Sequence, residues 1–434
     1  MNSLRAAGGI ARRSLLLRSI VFSLFAKAIG ALMVIVGLPL IAVTLSLTDY
    51  REFLRSMAAV SVVSLLFGPI ALATIVELGR FRGDLETRDV LWSSLRPYLV
   101  LSTGLVAVLA AAVASGWFTA YLTPFLIVAF GITIFQNLFT WADSWRLARR
   151  SDFVSSLFQV ASTLALIGTL LSVPTTRLMV VGGLYYGLPM LVTAMSFGAI
   201  LLGTRWGPAE GRFHPNLAFD IRRSWPLLFP SVIDYGRVYG CGLAIGAIGS
   251  AGAYAKYFTI ILFLARLVNP VSLITKPLLP AYLDAQRRGD TRWLRRANLG
   301  IGAFGIASLI GPLAIVLVVP HGWLTVLPAD WGVLTRWDVG MMGLYFSAYL
   351  TASIVAPLYV ALDRTREYIV VGFVAVGVGL AAGSAIAVLA GAGWVLYMMS
   401  MTTMAAGMWY LVRLLPARRG GQDIVADIVT GTET

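Results

Sequence analysis

Residues 222–282, RRSWPLLFPSVIDYGRVYGCGLAIGAIGSAGAYAKYFTIILFLARLVNPVSLITKPLLPAY, decide the fold. They read as two long apolar helices, about Trp225–Ile248 and about Ala253–Leu278, with charges retained inside them. Asp234 and Arg237 sit within the first, and Lys256, Arg266 and Lys276 along the second. A charge at the bilayer centre costs roughly 3 kcal/mol on insertion scales, so it persists where it faces a polar cavity or a partner. At about 1.5 Å of rise per residue, Arg237 lies ~18 Å in from Trp225 and Arg266 ~15 Å from Lys276. Both therefore fall near the middle of a ~30 Å hydrocarbon core. Two arginines at that depth on consecutive helices form a candidate anion site.

The rest of the chain is of the same kind. Of its 434 residues, 58% are hydrophobic and 12% charged, whereas a soluble domain carries about 25% charged residues. Apolar runs of about 20 residues recur throughout, the signature of an all-α polytopic membrane protein. Twelve spans can be drawn, at about 20–47, 56–78, 95–115, 118–140, 153–172, 178–203, 225–248, 253–278, 298–319, 340–362, 368–390 and 392–415. The net charge of +14 is dispersed through short loops and does not point to nucleic acid. The single cysteine, Cys241, excludes an internal disulfide framework, and the two histidines, His214 and His321, are too far apart in sequence to suggest a zinc site. No Walker A loop and no catalytic cluster is present, so neither an enzyme nor a cofactor is indicated. Membrane-embedded glycan-modifying enzymes usually carry a large external catalytic loop, and none is found here.

Charge also orients the chain. With the N-terminus in the cytoplasm, 25 of the 34 basic residues fall in inside segments, four fall outside (Arg51, Arg55, Arg177, Arg336) and five lie within spans. That bias places both termini in the cytoplasm. Residues 1–19 read as a basic amphipathic lead-in and 416–434 as a disordered polar tail. The inside segment 204–224 divides 20–203 from 225–415, six spans each. Tyr50-Arg-Glu-Phe53 after the first span and Tyr254-Ala-Lys-Tyr257 after the seventh hint at an internal repeat, each leading into a proline-broken helix (Pro69, Pro270). Paired six-helix halves with a site between them are a common transporter plan. Prolines inside spans are either hinges or the ordinary prolines of membrane helices. Gly242/Gly246, Gly183/Gly187 and Gly379/Gly383 have GxxxG spacing and are expected to pack helices closely.

Among the charges, Lys27, Lys256 and Lys276 can snorkel to the headgroups on their long stems. Arg237 and Arg266 are too deep to do so easily. Arg237 is three residues from Asp234 on one helix face, so it is a structural ion pair, an anion ligand, or both, since a guanidinium keeps donors for a second acceptor. Asp234 is alternatively a coupling residue. Lys27 would add a third anion contact from the other half. Asp234 is the one acid deep in a span, and this basic excess suits phosphate or pyrophosphate. Gln136, Asn137, Tyr185 and Tyr186 either contact sugar hydroxyls or hydrogen-bond neighbouring helices. Trp331 and Trp337 suit an interfacial belt.

Several stretches also resemble a known family. They are Thr48-Asp-Tyr-Arg-Glu-Phe53, Glu77-Leu-Gly-Arg80, Asp234-Tyr-Gly-Arg237, Ala251-Gly-Ala-Tyr254, the loop from Pro280 to Arg296 with its Gly289-Asp290 and Leu294-Arg-Arg296, and Ala361-Leu-Asp-Arg-Thr-Arg366. Together they resemble the Wzx-type O-antigen and exopolysaccharide flippases of the multidrug/oligosaccharidyl-lipid/polysaccharide exporter superfamily. The resemblance implies two six-helix lobes around a central cationic cavity that opens alternately to each leaflet. It implies an undecaprenyl-pyrophosphate-linked oligosaccharide as cargo, the membrane lipid around it, and polysaccharide polymerase and chain-length machinery as partners. The alternative is an ion-coupled small-molecule exporter of the same superfamily.

Overall fold

The computed structural model describes residues 36–80, 88–116, 123–148, 152–172, 177–203, 228–268, 290–318, 335–361 and 364–414. Among them the regular structure is entirely helical: α1 (Leu38–Thr44), α2 (Leu47–Arg80), α3 (Arg88–Ala114), α4 (Pro124–Phe139), α5 (Trp141–Ala148), α6 (Asp152–Ser172), α7 (Leu178–Gly203), α8 (Leu228–Tyr235), α9 (Cys241–Ile248), α10 (Ala251–Val268), α11 (Thr291–Val318), α12 (Arg336–Ala361), α13 (Thr365–Ala390) and α14 (Gly393–Leu414). A π turn, Gly236–Gly240, joins α8 to α9 in one rod, and α4 and α5 are continuous except at Thr140. Twelve rods result, one for each predicted span. The lead-in 1–19, the segment 204–224 and the tail 416–434 lie outside the described residues.

Among the boundaries that differ from expectation, two have a plain physical reason. α2 begins at Leu47 rather than near residue 56, because its charged first turns are capped and paired. The Ser46 hydroxyl accepts the Asp49 N–H at 3.1 Å and donates to the Asp49 carboxylate at 2.8 Å. Glu52 then accepts the hydroxyl of Thr123, the N-cap of α4, at 2.6 Å. The fourth rod runs past residue 140 to Ala148, since Trp141, Ala142 and Trp145 of α5 are core residues packed against α2. Its Arg146 is buried with Nη1 on the Ser196 hydroxyl of α7. Apolar periodicity stops where such charges begin, but the helices do not.

Two of the three glycine pairs pack as expected. A Cβ on Gly242 would strike the Phe258 ring, and one on Gly246 would come within 2.8 Å of Tyr254, so α9 lies flush on α10. Gly379 and Gly383 bring α13 to within 3.1 and 2.8 Å of the Met399 and Val395 Cα atoms of α14 by the same measure. Gly183 and Gly187 face open space instead, with nothing within 4 Å, and make no close helix contact.

Helices α1–α7 and α8–α14 pack chiefly among themselves, and α2 carries the main contacts between the two groups, against α8, α9 and α10. The Tyr50 hydroxyl shares a 2.8 Å hydrogen bond with Thr259, and Tyr235 donates to the Ala58 carbonyl at 3.1 Å. Both contacts lie in the first half of α2. The first is close to the Leu45–Ser46 and Gly249–Ser250 turns, and the second lies deeper, roughly 16 Å along α2 and 21 Å along the rod that ends at Gly249.

Candidate functional site

The seventh rod is built around glycine. Gly236 and Gly372 allow α8 and α13 to interlock, for a Cβ on either would come within 2.7 Å of Val376 or 2.6 Å of Ile233. At this point the helix widens, and the Cys241 N–H reaches back to the Gly236 carbonyl, five residues earlier. Such π turns are often found at functional positions. The Arg237 carbonyl, inside the widened turn, accepts the Tyr345 hydroxyl of α12 at 3.2 Å.

Arg237 is 1% exposed. Its Nη1 donates to Asp234 Oδ1 at 3.0 Å, so the pair expected from the i, i+3 spacing is formed. The Asp234 side chain is 44% exposed, so one member of the pair is reachable from outside the packed interior and the other is not. Nε and Nη2 of Arg237 are buried without a hydrogen-bond partner of good geometry, and so is the hydroxyl of Tyr368. Tyr368 and Tyr349 are the phenols electrostatically closest to the guanidinium. Tyr349 stacks on Tyr345 with centroids 6.1 Å apart, and Tyr368 lies 5.3 Å from Tyr410. The guanidinium is thus buried in a pair with Asp234 and beside the Tyr368 phenol, and an anionic oxygen would reach it only where this packing opens.

The other predicted site residues are placed differently. Arg266 falls in the last turn of α10, with its side chain outside the described residues, as is the whole of Lys27. Gln136 and Asn137 lie in the last turn of α4, where the rod continues past Thr140 into α5. Asn137 donates to Thr133 O at 2.9 Å and to the Ser64 hydroxyl of α2 at 3.2 Å. Tyr186 is buried and shares a 2.9 Å hydrogen bond with Ser56 of α2, while Tyr185 meets Phe53 edge-on at 5.0 Å. The structure thus joins Asp234 to Arg237 and sets Asn137, Tyr185 and Tyr186 against α2.

Lys256 does not snorkel. It is buried, its Nζ lies 3.2 Å from Asp338 Oδ2, and it sits 4.6 Å from the Tyr257 ring centroid. Asp338 also accepts the Tyr257 hydroxyl at 2.5 Å, the Thr335 N–H at 2.8 Å and the Thr335 hydroxyl at 3.0 Å. A desolvated lysine with a carboxylate this well supplied gains more from the pair than from reaching for water. The partner is 82 residues away in sequence, on another helix. The signal for it was Thr335-Arg-Trp-Asp338, a helix-start pattern that holds a carboxylate at the rim.

No family model matches this sequence, and no curated protein does. Solved structures do. An inward-facing multidrug resistance MATE family transporter of the MOP superfamily matches with a TM-score of 0.68 at 13% identity, over 94% of this chain and 100% of that one. An outward-facing structure of such a transporter matches with a TM-score of 0.61 at 13% identity, over 92% and 95%. At that identity the likeness establishes the fold: an all-α membrane protein of twelve helices in two lobes.

Proposed function

We propose that this chain is an alternating-access exporter of a bacterial inner membrane. The observation that carries the proposal is the seam, where the two helix groups meet along the first half of α2 through Tyr50–Thr259 and Tyr235–Ala58. Two rigid bundles joined along one line can part at one end while closing at the other. With the termini cytoplasmic, the seam runs from the periplasmic turns to about the middle of the rods, which suits an inward-facing state. The higher TM-score with the inward-facing neighbour supports that orientation.

Two cargoes follow from different observations. The solved neighbours are titled multidrug transporters, and they favour an ion-coupled small-molecule exporter. The sequence resemblance and the basic residues inside spans favour an anionic glycolipid, the undecaprenyl-pyrophosphate-linked oligosaccharide. We adopt the glycolipid on that resemblance. Its pyrophosphate would meet Lys27, Arg237 and Arg266 while the lipid tail stays in the bilayer. Polysaccharide polymerase and chain-length machinery would then act on the exported unit.

The test follows lipid-linked oligosaccharide on each leaflet in cells lacking the chain, then complemented with wild type or Arg266→Ala. Accumulation on the cytoplasmic leaflet, relieved by wild type and not by the variant, is the expected result. Normal glycolipid distribution together with lost drug efflux would replace the glycolipid with a small molecule.

A further inference from the structure

We propose that the cavity between the α9–α10 turn and the α13–α14 turn binds a neutral saccharide. It measures about 480 Å³ and is lined by Ser250, Lys256, Tyr257, Trp337 and Trp394 together with the Gly391 turn. That volume lies within the range of small-ligand sites. Its walls are aromatic: the Trp337 and Trp394 rings have centroids 6.2 Å apart, and Tyr397 backs them at 5.5 and 5.2 Å. Indole faces of this kind stack on the C–H face of a sugar ring while leaving its hydroxyls free.

The floor chooses among ligands. Lys256 has three N–H donors: one goes to Asp338, the ammonium also lies over the Tyr257 ring at 4.6 Å, and the remaining hydrogen-bonding capacity belongs to a side chain that lines the cavity. The Ser250 hydroxyl lines the same space. Because Asp338 neutralises the ammonium at 3.2 Å, the floor carries no net charge. A phosphate would have to compete with that carboxylate, and an acyl chain would leave the remaining hydrogen-bonding capacity unsatisfied. A polyhydroxy ligand without charge meets both requirements. Tryptophans of an interfacial belt need no buried ion pair beneath them.

The site is also built rigidly. Gly391 holds φ at +103°, which turns the chain sharply between α13 and α14. The next glycine, Gly393, presses the start of α14 onto Tyr257, where a Cβ would lie 2.9 Å from the phenol oxygen. Binding of a saccharide here stands by itself; identifying that saccharide as the glycan of an exported lipid rests on the function proposed above.

The experiment applies the purified full-length chain in lipid nanodiscs to a printed array of neutral and phosphorylated oligosaccharides. Retention of one or more neutral oligosaccharides is expected, reduced tenfold or more by Trp337→Ala. That side chain is 55% exposed, so its truncation leaves the fold intact. Trp394→Ala should act in the same direction and Trp394→Phe should recover binding. The proposal is overturned by a blank array, by retention confined to phosphorylated glycans, or by retention indifferent to both truncations. The array reads binding without transport, so a blank array beside normal glycolipid export sinks this site alone. Saccharide retention without any export defect in deleted cells sinks the glycolipid reading and leaves the pocket.

Discussion

In the first half of the chain the two residues Leu45–Ser46 join α1 to α2, and in the second half Gly249–Ser250 join α9 to α10. Both turns enter from an extended residue, Leu45 at φ −95°, ψ 151° and Gly249 at φ −87°, ψ 166°. In both the serine hydroxyl accepts the N–H three residues on, at 3.1 and 3.2 Å. The tyrosine four residues past the serine, Tyr50 or Tyr254, is buried. Six residues past it the halves diverge, Glu52 reaching a threonine hydroxyl and Lys256 reaching Asp338. In both cases the target lies at the N-terminus of the fourth rod of its half. The shared geometry supports an internal repeat, and the difference shows where charge was admitted. Among the described residues, the second half buries the Lys256–Asp338 pair and one member of Asp234–Arg237, and closes both of its GxxxG pairs. The first half satisfies its carboxylate with a hydroxyl and leaves Gly183 and Gly187 open.

The largest effect should come from breaking the charge pair on the seventh rod. Asp234→Asn takes the charged acceptor from buried Arg237 while the other member of the pair is 44% exposed, so a loss of about 1.5–3 kcal/mol is expected. Thermal unfolding in detergent should fall by several degrees and recover in the doubly neutral Asp234→Asn/Arg237→Met. A single variant that melts with the wild type would mean the pair carries no structural weight.

Next comes packing. Gly383→Ala drives a Cβ to 2.8 Å from the Val395 Cα and should cost about 1–3 kcal/mol. Gly183→Ala meets nothing and should be neutral, or stabilising by up to about 1 kcal/mol from helix propensity. Equal melting shifts in the two variants would erase the contrast in packing.

The six-residue positions can be compared directly. Lys256→Met leaves the buried Asp338 charge with Tyr257 and Thr335 as its remaining donors, so a loss of about 1–3 kcal/mol is expected. Glu52→Gln retains a carbonyl acceptor for Thr123 and should change stability by about 0.5 kcal/mol or less. Chemical denaturation of the two purified variants would check the ranking, and a more damaging Glu52→Gln would reverse it.

The smallest effect is at the seam. Tyr50→Phe removes one interhelical hydrogen bond, worth about 0.6 kcal/mol in membrane proteins, or roughly a threefold shift in the balance between open and closed seams. Spin-label distances between one site on each lobe should broaden toward separation. Cys241 is buried, so the native thiol gives a quiet background for that labelling. An unchanged distance distribution would remove Tyr50 from the gate.

The twelve rods were legible in sequence because each is an apolar run long enough to cross a bilayer. Their ends were legible only where charge and apolarity stop together, as at residues 178–203, where prediction and structure coincide. α2 and α5 continue into charged residues whose partners come from other helices, and no local pattern announces those partners. The same rule governs the site. Asp234–Arg237 could be read because both members lie within one helical turn. Lys256–Asp338 could not, because its members meet only after α10 and α12 have packed. Asn137 and Tyr186 were read as polar groups open to a ligand or to a neighbouring helix, and both hydrogen-bond α2, which position along the chain does not reveal.

The widened turn at Gly236–Gly240 has a consequence for how this helix counts its faces. An α-helix advances about 100° per residue, so one extra residue in a ring rotates everything beyond it by that amount. Before the turn, Ile233 and Gly236 face α13; beyond it, Gly242 and Gly246 face α10. Deleting a single residue between 236 and 240 would restore the α register and swing Gly242 and Gly246 off Phe258 and Tyr254. A related chain with a regular helix here would align to this one only across a one-residue gap in the middle of a span. The extra residue works as a reading frame: it sets which side chains beyond it meet α10, while Gly240 and α9 stay against α13.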